Sequence, residues 1–200
     1  MAGVFDDLFL SVYKYLGFGL IFAAVVMIAY PRIEEKGLRA TMAELFNELR
    51  SDRRYLCRFI FLTYLFMILS RTLICRNIWQ CPWENVIGEW GLYNSDGEVN
   101  LEGLENMFLF VPLVTFGLFS GSKRLDGMND MQLFKFVVKW SLLFTVFIEC
   151  CQLFLRLGTF QLSDIAQNTV GGVIGWGIYY CIRKINKRGR THGAKYNQQR

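Results

Sequence analysis

The 200-residue sequence predicts an all-α fold, a polytopic helical membrane bundle of about five transmembrane helices with one amphipathic interfacial helix. Three observations point there. Apolar residues make up 53% of the chain and gather in unbroken runs, not in the alternations of a soluble α/β protein. The runs lie near 15–30, 55–74, 104–119, 134–157 and 165–182, and several approach the roughly 20 residues that cross a hydrocarbon core about 30 Å thick. Charge is also segregated. Arg183–Arg200 holds seven Lys or Arg and no acid, whereas Cys75–Glu105 holds six carboxylates against Arg76 alone.

That segregation orients the chain, because Lys and Arg favour cytoplasmic loops. The C-terminus and Ser120–Gln132 then face the cytoplasm and Cys75–Glu105 faces out. Five spans put the N-terminus outside, beside Asp6 and Asp7. Residues 1–183 form a single transmembrane domain, and 184–200 form a basic cytoplasmic tail expected to be disordered beyond about Arg190. A basic tail beside a span suits attraction to membrane lipids better than nucleic-acid binding.

Met1–Leu10 lacks the basic region of a signal peptide, so Tyr15–Tyr30 reads as a retained anchor whose Gly17, Gly19 and Ala23 admit a close neighbour. Pro31 ends it. In Gly37–Arg50, Leu38, Met42, Leu45, Phe46 and Leu49 share one helical face; such a helix lies in the inner interface or packs on the cytoplasmic ends of the spans. The second span ends with Ser70-Arg71-Thr72, where Arg71 reads as snorkelling to head groups ahead of a site role. The outer loop carries Trp79, Trp83 and Trp90, an aromatic belt or the cap of a cavity, and Asn94-Ser95-Asp96-Gly97 signals a turn. Asn100 caps the third span, which holds Asn106 and Pro112. Lys135 and Lys139 mark the inner end of the fourth. Ser163-Asp164 opens the fifth as an N-cap pair.

The stretch from Phe144 to Gly177 carries the chemistry. Glu149, Gln152 and Arg156 lie at i, i+3 and i+7, and Asp164, Asn168, Gly171 and Gly175 at i, i+4, i+7 and i+11. Both spacings stack on one helical face. Ionisable groups among Phe, Leu, Ile and Val are costly in a membrane and mark functional sites by default. Gly171, Gly172 and Gly175 invite a closely packed helix. The six cysteines form no metal signature, and no cofactor motif is present. Four read as small buried hydrophobes, while Cys75 and Cys81, both outside, admit a disulfide.

These residues resemble the VanZ-like family of bacterial membrane proteins. The resemblance rests on Glu149-x-x-Gln152, Asp164, Asn168 and Gly171-Gly172-x-x-Gly175, on Asn106 running into Pro112-Leu113, and on Leu69-Ser70-Arg71. Val114 stands where the family usually has Gly, Gly158 where it usually has Arg, and Gln161 where it often has an acid. The resemblance implies a bacterial cell-membrane protein, its namesake associated with resistance to teicoplanin, a lipid-tailed glycopeptide.

In the charge-derived topology Arg71, Asn106, Glu149, Gln152, Arg156, Asp164 and Asn168 all fall in the outer half. The leading expectation is an outward-facing polar pocket for a lipid head group, a lipid-linked cell-wall intermediate or a lipoglycopeptide. Two alternatives stay open: a helix-packing network, and a carboxylate-dependent membrane hydrolase or transferase. No Ser–His or Cys–His pair accompanies the carboxylates, which weighs against catalysis without naming a catalytic residue. The absence of an inverted repeat weighs against transport. The oligomeric state is not legible.

Overall fold

A computed structural model describes residues 2–29, 37–74, 81–91, 93, 101–121 and 123–197. Pro31, Cys75, Trp79, the turn at 94–97 and Asn100 lie outside the described residues. The helices among them are α1 (Ala2–Ala29), α2 (Leu38–Ser51), α3 (Arg53–Leu69, continued by a π-helical turn Ser70–Ile74), α4 (Leu101–Phe119), a short α5 (Lys123–Asp126), α6 (Asp130–Leu155) and α7 (Leu162–Asn197), with a loop at 81–91.

Local sequence explains the boundaries. Asp52 ends α2 and caps α3, its carboxylate accepting the Arg54 N–H at 2.8 Å. Asn129 and Gln132 close a reciprocal capping box at the start of α6. Helix α4 runs unbroken through Pro112. Helix α7 starts at Leu162, so Ser163 and Asp164 lie inside its first turn and not at the cap as expected. It also continues to Asn197, so the basic tail begins as helix, past the Arg190 where disorder was expected.

Three segments are long and apolar enough to cross a membrane: Arg53–Ile74, Leu101–Phe119 and Asp130–Leu155, with Lys14–Ile28 a shorter apolar stretch. The expected fifth span is not among them, because Gln167, Asn168 and four glycines dilute the apolar content of 165–182. Only 22%, 28% and 33% of the three apolar segments is buried within the chain. Large apolar side chains such as Phe18, Ile21, Phe147, Ile174 and Ile178 instead face outward, as lipid-facing helices require.

The most extensive contact joins α4 to α7, and α6 packs on α7, α3 on α4 and α1 on α3. The glycine face of α7 makes the central contact. A Cβ at Gly171 would stand 2.2 Å from the Met107 carbonyl oxygen, and one at Gly175 would stand 2.6 Å from that of Val111. Thr115 Oγ1 reinforces the seam, sharing its one proton between the Val111 carbonyl at 2.8 Å and the Gly175 carbonyl across the seam at 3.1 Å. Ile68, Leu109, Phe110, Leu113 and Ile148 form the core between α3, α4 and α6. Helix α2 packs against the bundle, burying Leu45 with Met27 and Ile28, while Phe46 on its outer side stays exposed. Of the two expectations for this helix, packing on the spans accounts for its buried face.

Backbone approach at the α4–α7 seam has a direct consequence. Gly171→Ala is expected to cost about 1–3 kcal/mol through overpacking. Gly177→Ala, whose Cβ would meet nothing within 4 Å, is expected to be neutral or slightly stabilising. Thermal melts of both variants in detergent check the difference.

Candidate functional site

The C-terminal ends of α3 and α6 and the N-terminal ends of α4 and α7 meet at one end of the bundle, away from the basic end. Four of the sequence candidates are buried there: Glu149 and Gln152 at 2% exposure, Asp164 and Asn168 at 6%. Helix α6 ends at Leu155, so Glu149 lies about 9 Å along the axis from that end at 1.5 Å per residue. A carboxylate at that depth needs donors. The backbone N–H of Gln161 gives one, donating to Glu149 Oε2 at 3.0 Å. Asp164 sits in the first turn of α7, where the helix dipole favours an anion.

The amides cross between helices. Gln152 Nε2 donates to the Thr72 carbonyl in the π turn at 3.1 Å. Asn168 Nδ2 donates to Thr145 Oγ1 at 2.9 Å, one turn before Glu149. Asn168 Oδ1 and Asn106 Nδ2 are buried and have no hydrogen-bond partner among the described residues.

Arg71 lies in the π-helical turn, a local widening that re-aims the side chains after it and recurs at functional sites. Its Nη2 pairs with Glu105 Oε2 at the start of α4, the two side chains being 23% and 18% exposed. Snorkelling therefore does not describe Arg71. Its Nη1 is buried without a partner among the described residues.

Arg156 does not join the cluster. Its expected place on the Glu149 face requires one more residue of helix, but Arg156 is the C-cap, left-handed at φ 55°, with the Leu157 N–H closing onto the Gln152 carbonyl at 2.8 Å. Its exposed side chain instead lines an open cleft of about 790 Å³ with Trp83, Glu84 and Phe154. The turn between the two helices runs around Gly158, and its left-handed residue is Arg156.

The loop at 81–91 is seated on the cluster. Its Pro82, Val86 and Ile87 carbonyls accept the N–H groups of Phe160 (2.9 Å), Leu162 (2.9 Å) and Ser163 (3.3 Å). Two of these are first-turn donors of α7 that lack an intrahelical acceptor. Gln167 Nε2 adds a bond to the Glu89 carbonyl at 2.9 Å. Gly88 permits the approach: at φ 68° it lies so close that a Cβ would stand 1.9 Å from Ser163 Oγ. Trp83 leans on Phe160, ring centroids 6.1 Å apart, and remains exposed with Trp90. Cys81 is exposed at the start of this loop, and its suggested partner Cys75 lies outside the described residues.

Sequence reasoning missed Glu105, Thr72, Thr145 and Gln161. The last and Thr72 act through backbone groups, which no side-chain pattern reveals. Glu105 carried a signal, a carboxylate next to Asn106 at the mouth of an apolar run.

A protein-family model described as VanZ/LLP1 matches residues 19–183. No curated protein and no solved structure matches the chain.

The Arg71–Glu105 pair is open to a double-mutant cycle. Arg71→Ala and Glu105→Ala are each expected to destabilise by about 1–3 kcal/mol, less than removing one partner of a fully buried pair. The double variant is expected to fall well short of their sum. At the α6 C-cap, Arg156→Gly is expected to raise stability by about 1 kcal/mol by removing left-handed strain, read as an increase in melting temperature.

Proposed function

The chain belongs to the VanZ/LLP1 family, and from that premise we propose that it is an integral membrane protein whose buried polar end takes the head group of an outer-leaflet amphiphile. The amphiphile is a lipid, a lipid-linked cell-wall intermediate or a lipoglycopeptide of the teicoplanin kind. One observation carries the reading: two carboxylates and two amides, all at 6% exposure or less, gather at one end of apolar helices. Charge bias supports the orientation. The basic tail, Arg54 with Asp126 and Arg58 beside Ser120 mark the cytoplasmic end, which leaves the cluster outside.

The chemistry suits a polar head group. Asn106 Nδ2 and Arg71 Nη1 are donors and Asn168 Oδ1 is an acceptor, each without a partner among the described residues. A ligand hydroxyl, amide or phosphate would satisfy groups that are expensive to bury unmade. The loop over the cluster limits water, and the cleft beside Arg156 and Trp83 gives an amphiphile an approach from the outer surface.

Packing is the second reading, favoured by the fact that Arg71–Glu105, Gln152–Thr72 and Asn168–Thr145 each join two segments of the bundle. Such bonds average only about 0.6 kcal/mol in a membrane bundle, so packing alone under-uses so many buried polar groups.

Substitution separates the two. Cells making Glu149→Gln or Asn168→Ala at the wild-type membrane level are expected to lose whatever teicoplanin tolerance the wild type gives. Vancomycin, without a lipid tail, serves as the comparison. If tolerance instead tracks protein level or melting temperature, packing is the role of the cluster.

A further inference from the structure

At the end of the bundle away from the polar cluster, a groove of about 360 Å³ opens between α3, α4 and α6. Phe61 and Leu65 line it from α3, Leu113 and Gly117 from α4, and Phe136 and Trp140 from α6. It lies in the three segments apolar enough to cross a membrane. From Phe136 to Phe144 it extends roughly 12 Å along α6 at 1.5 Å per residue, most of one leaflet's half of a core about 30 Å thick.

The mouth is basic. Arg58, one turn before Phe61, is exposed and its Nη2 donates to the Ser120 carbonyl at 3.4 Å. No carboxylate among the described residues pairs with it, whereas its neighbour Arg54 is held by Asp126 at 2.9 Å. Apolar walls under an exposed guanidinium match an anionic lipid, tail inward.

We propose that this groove seats one acyl chain of an anionic phospholipid, with Arg58 meeting its phosphate. The exposed Arg58 at the mouth favours an anionic lipid over the apolar face of a helix from a second copy. Trp140, 55% exposed, lines the groove midway along its length, with its ring against that chain.

Trp140 also supplies the probe. The full-length protein is placed in phosphatidylcholine vesicles containing increasing dibrominated phosphatidylglycerol or dibrominated phosphatidylcholine. Quenching of Trp140 is read as the difference from the Trp140→Phe variant. Half-maximal quenching is expected at a mole fraction at least about fivefold lower for the anionic lipid, the effect of about one basic side chain at a membrane surface. Arg58→Gln is expected to bring the two curves together, and Leu65→Phe to reduce the quenching of both. Phosphatidylglycerol retained by the wild type after delipidation, counted by native mass spectrometry, gives a readout that needs no variant. Equal curves for the two lipids, selectivity that survives Arg58→Gln, or no retained phosphatidylglycerol overturns the assignment. So does quenching that appears only as the protein is diluted in lipid, which marks a second copy covering the groove.

Discussion

Glu149 is an acid buried to 2% in an otherwise apolar helix, and its bond from the Gln161 N–H is the constraint on which the polar end depends. The bond pins the turn after α6 back onto the helix. That turn then presents the N–H groups of Phe160, Leu162 and Ser163 to the loop at 81–91, which docks through main-chain bonds. Loop, turn and cluster therefore stand or fall together. A substitution at Glu149 acts on the seating of that loop as well as on a charge.

Close backbone approach is the second constraint. Because α7 offers glycine to α4, the two helices come near enough for Thr115 to reach a carbonyl across the seam. In hydrocarbon, where apolar burial between helices gives no driving force, such packing and such bonds hold helices together. The same seam sets Asn168 and Asp164 beside the ends of α3 and α6. Fold and site therefore share a cause.

Much of this is legible in the chain. Helical spacing locates Glu149, Gln152, Asp164, Asn168 and the glycine face, because buried polar residues keep a 3.6-residue period whatever surrounds them. The amphipathic run from Leu38 to Leu49 forms the helix expected of it. Arg156 shows the limit. Its spacing from Glu149 is helical, but a left-handed cap ends the helix first, and the decision lies in backbone bonds from residues 156 and 157. The π turn around Arg71 is likewise a matter of hydrogen-bond register. The fifth span is ambiguous for a different reason, since its amides and glycines lower its hydropathy.

The most direct test of the outer-end reading is a structure of the protein in nanodiscs drawn from its own membrane. The account expects density for a polar head group within hydrogen-bond reach, about 3 Å, of Glu149, Asp164 or Asn168, under the loop at 81–91. A cluster closed on itself, with Arg71, Asn106 and Asn168 satisfied by protein groups alone and only acyl chains nearby, would contradict it.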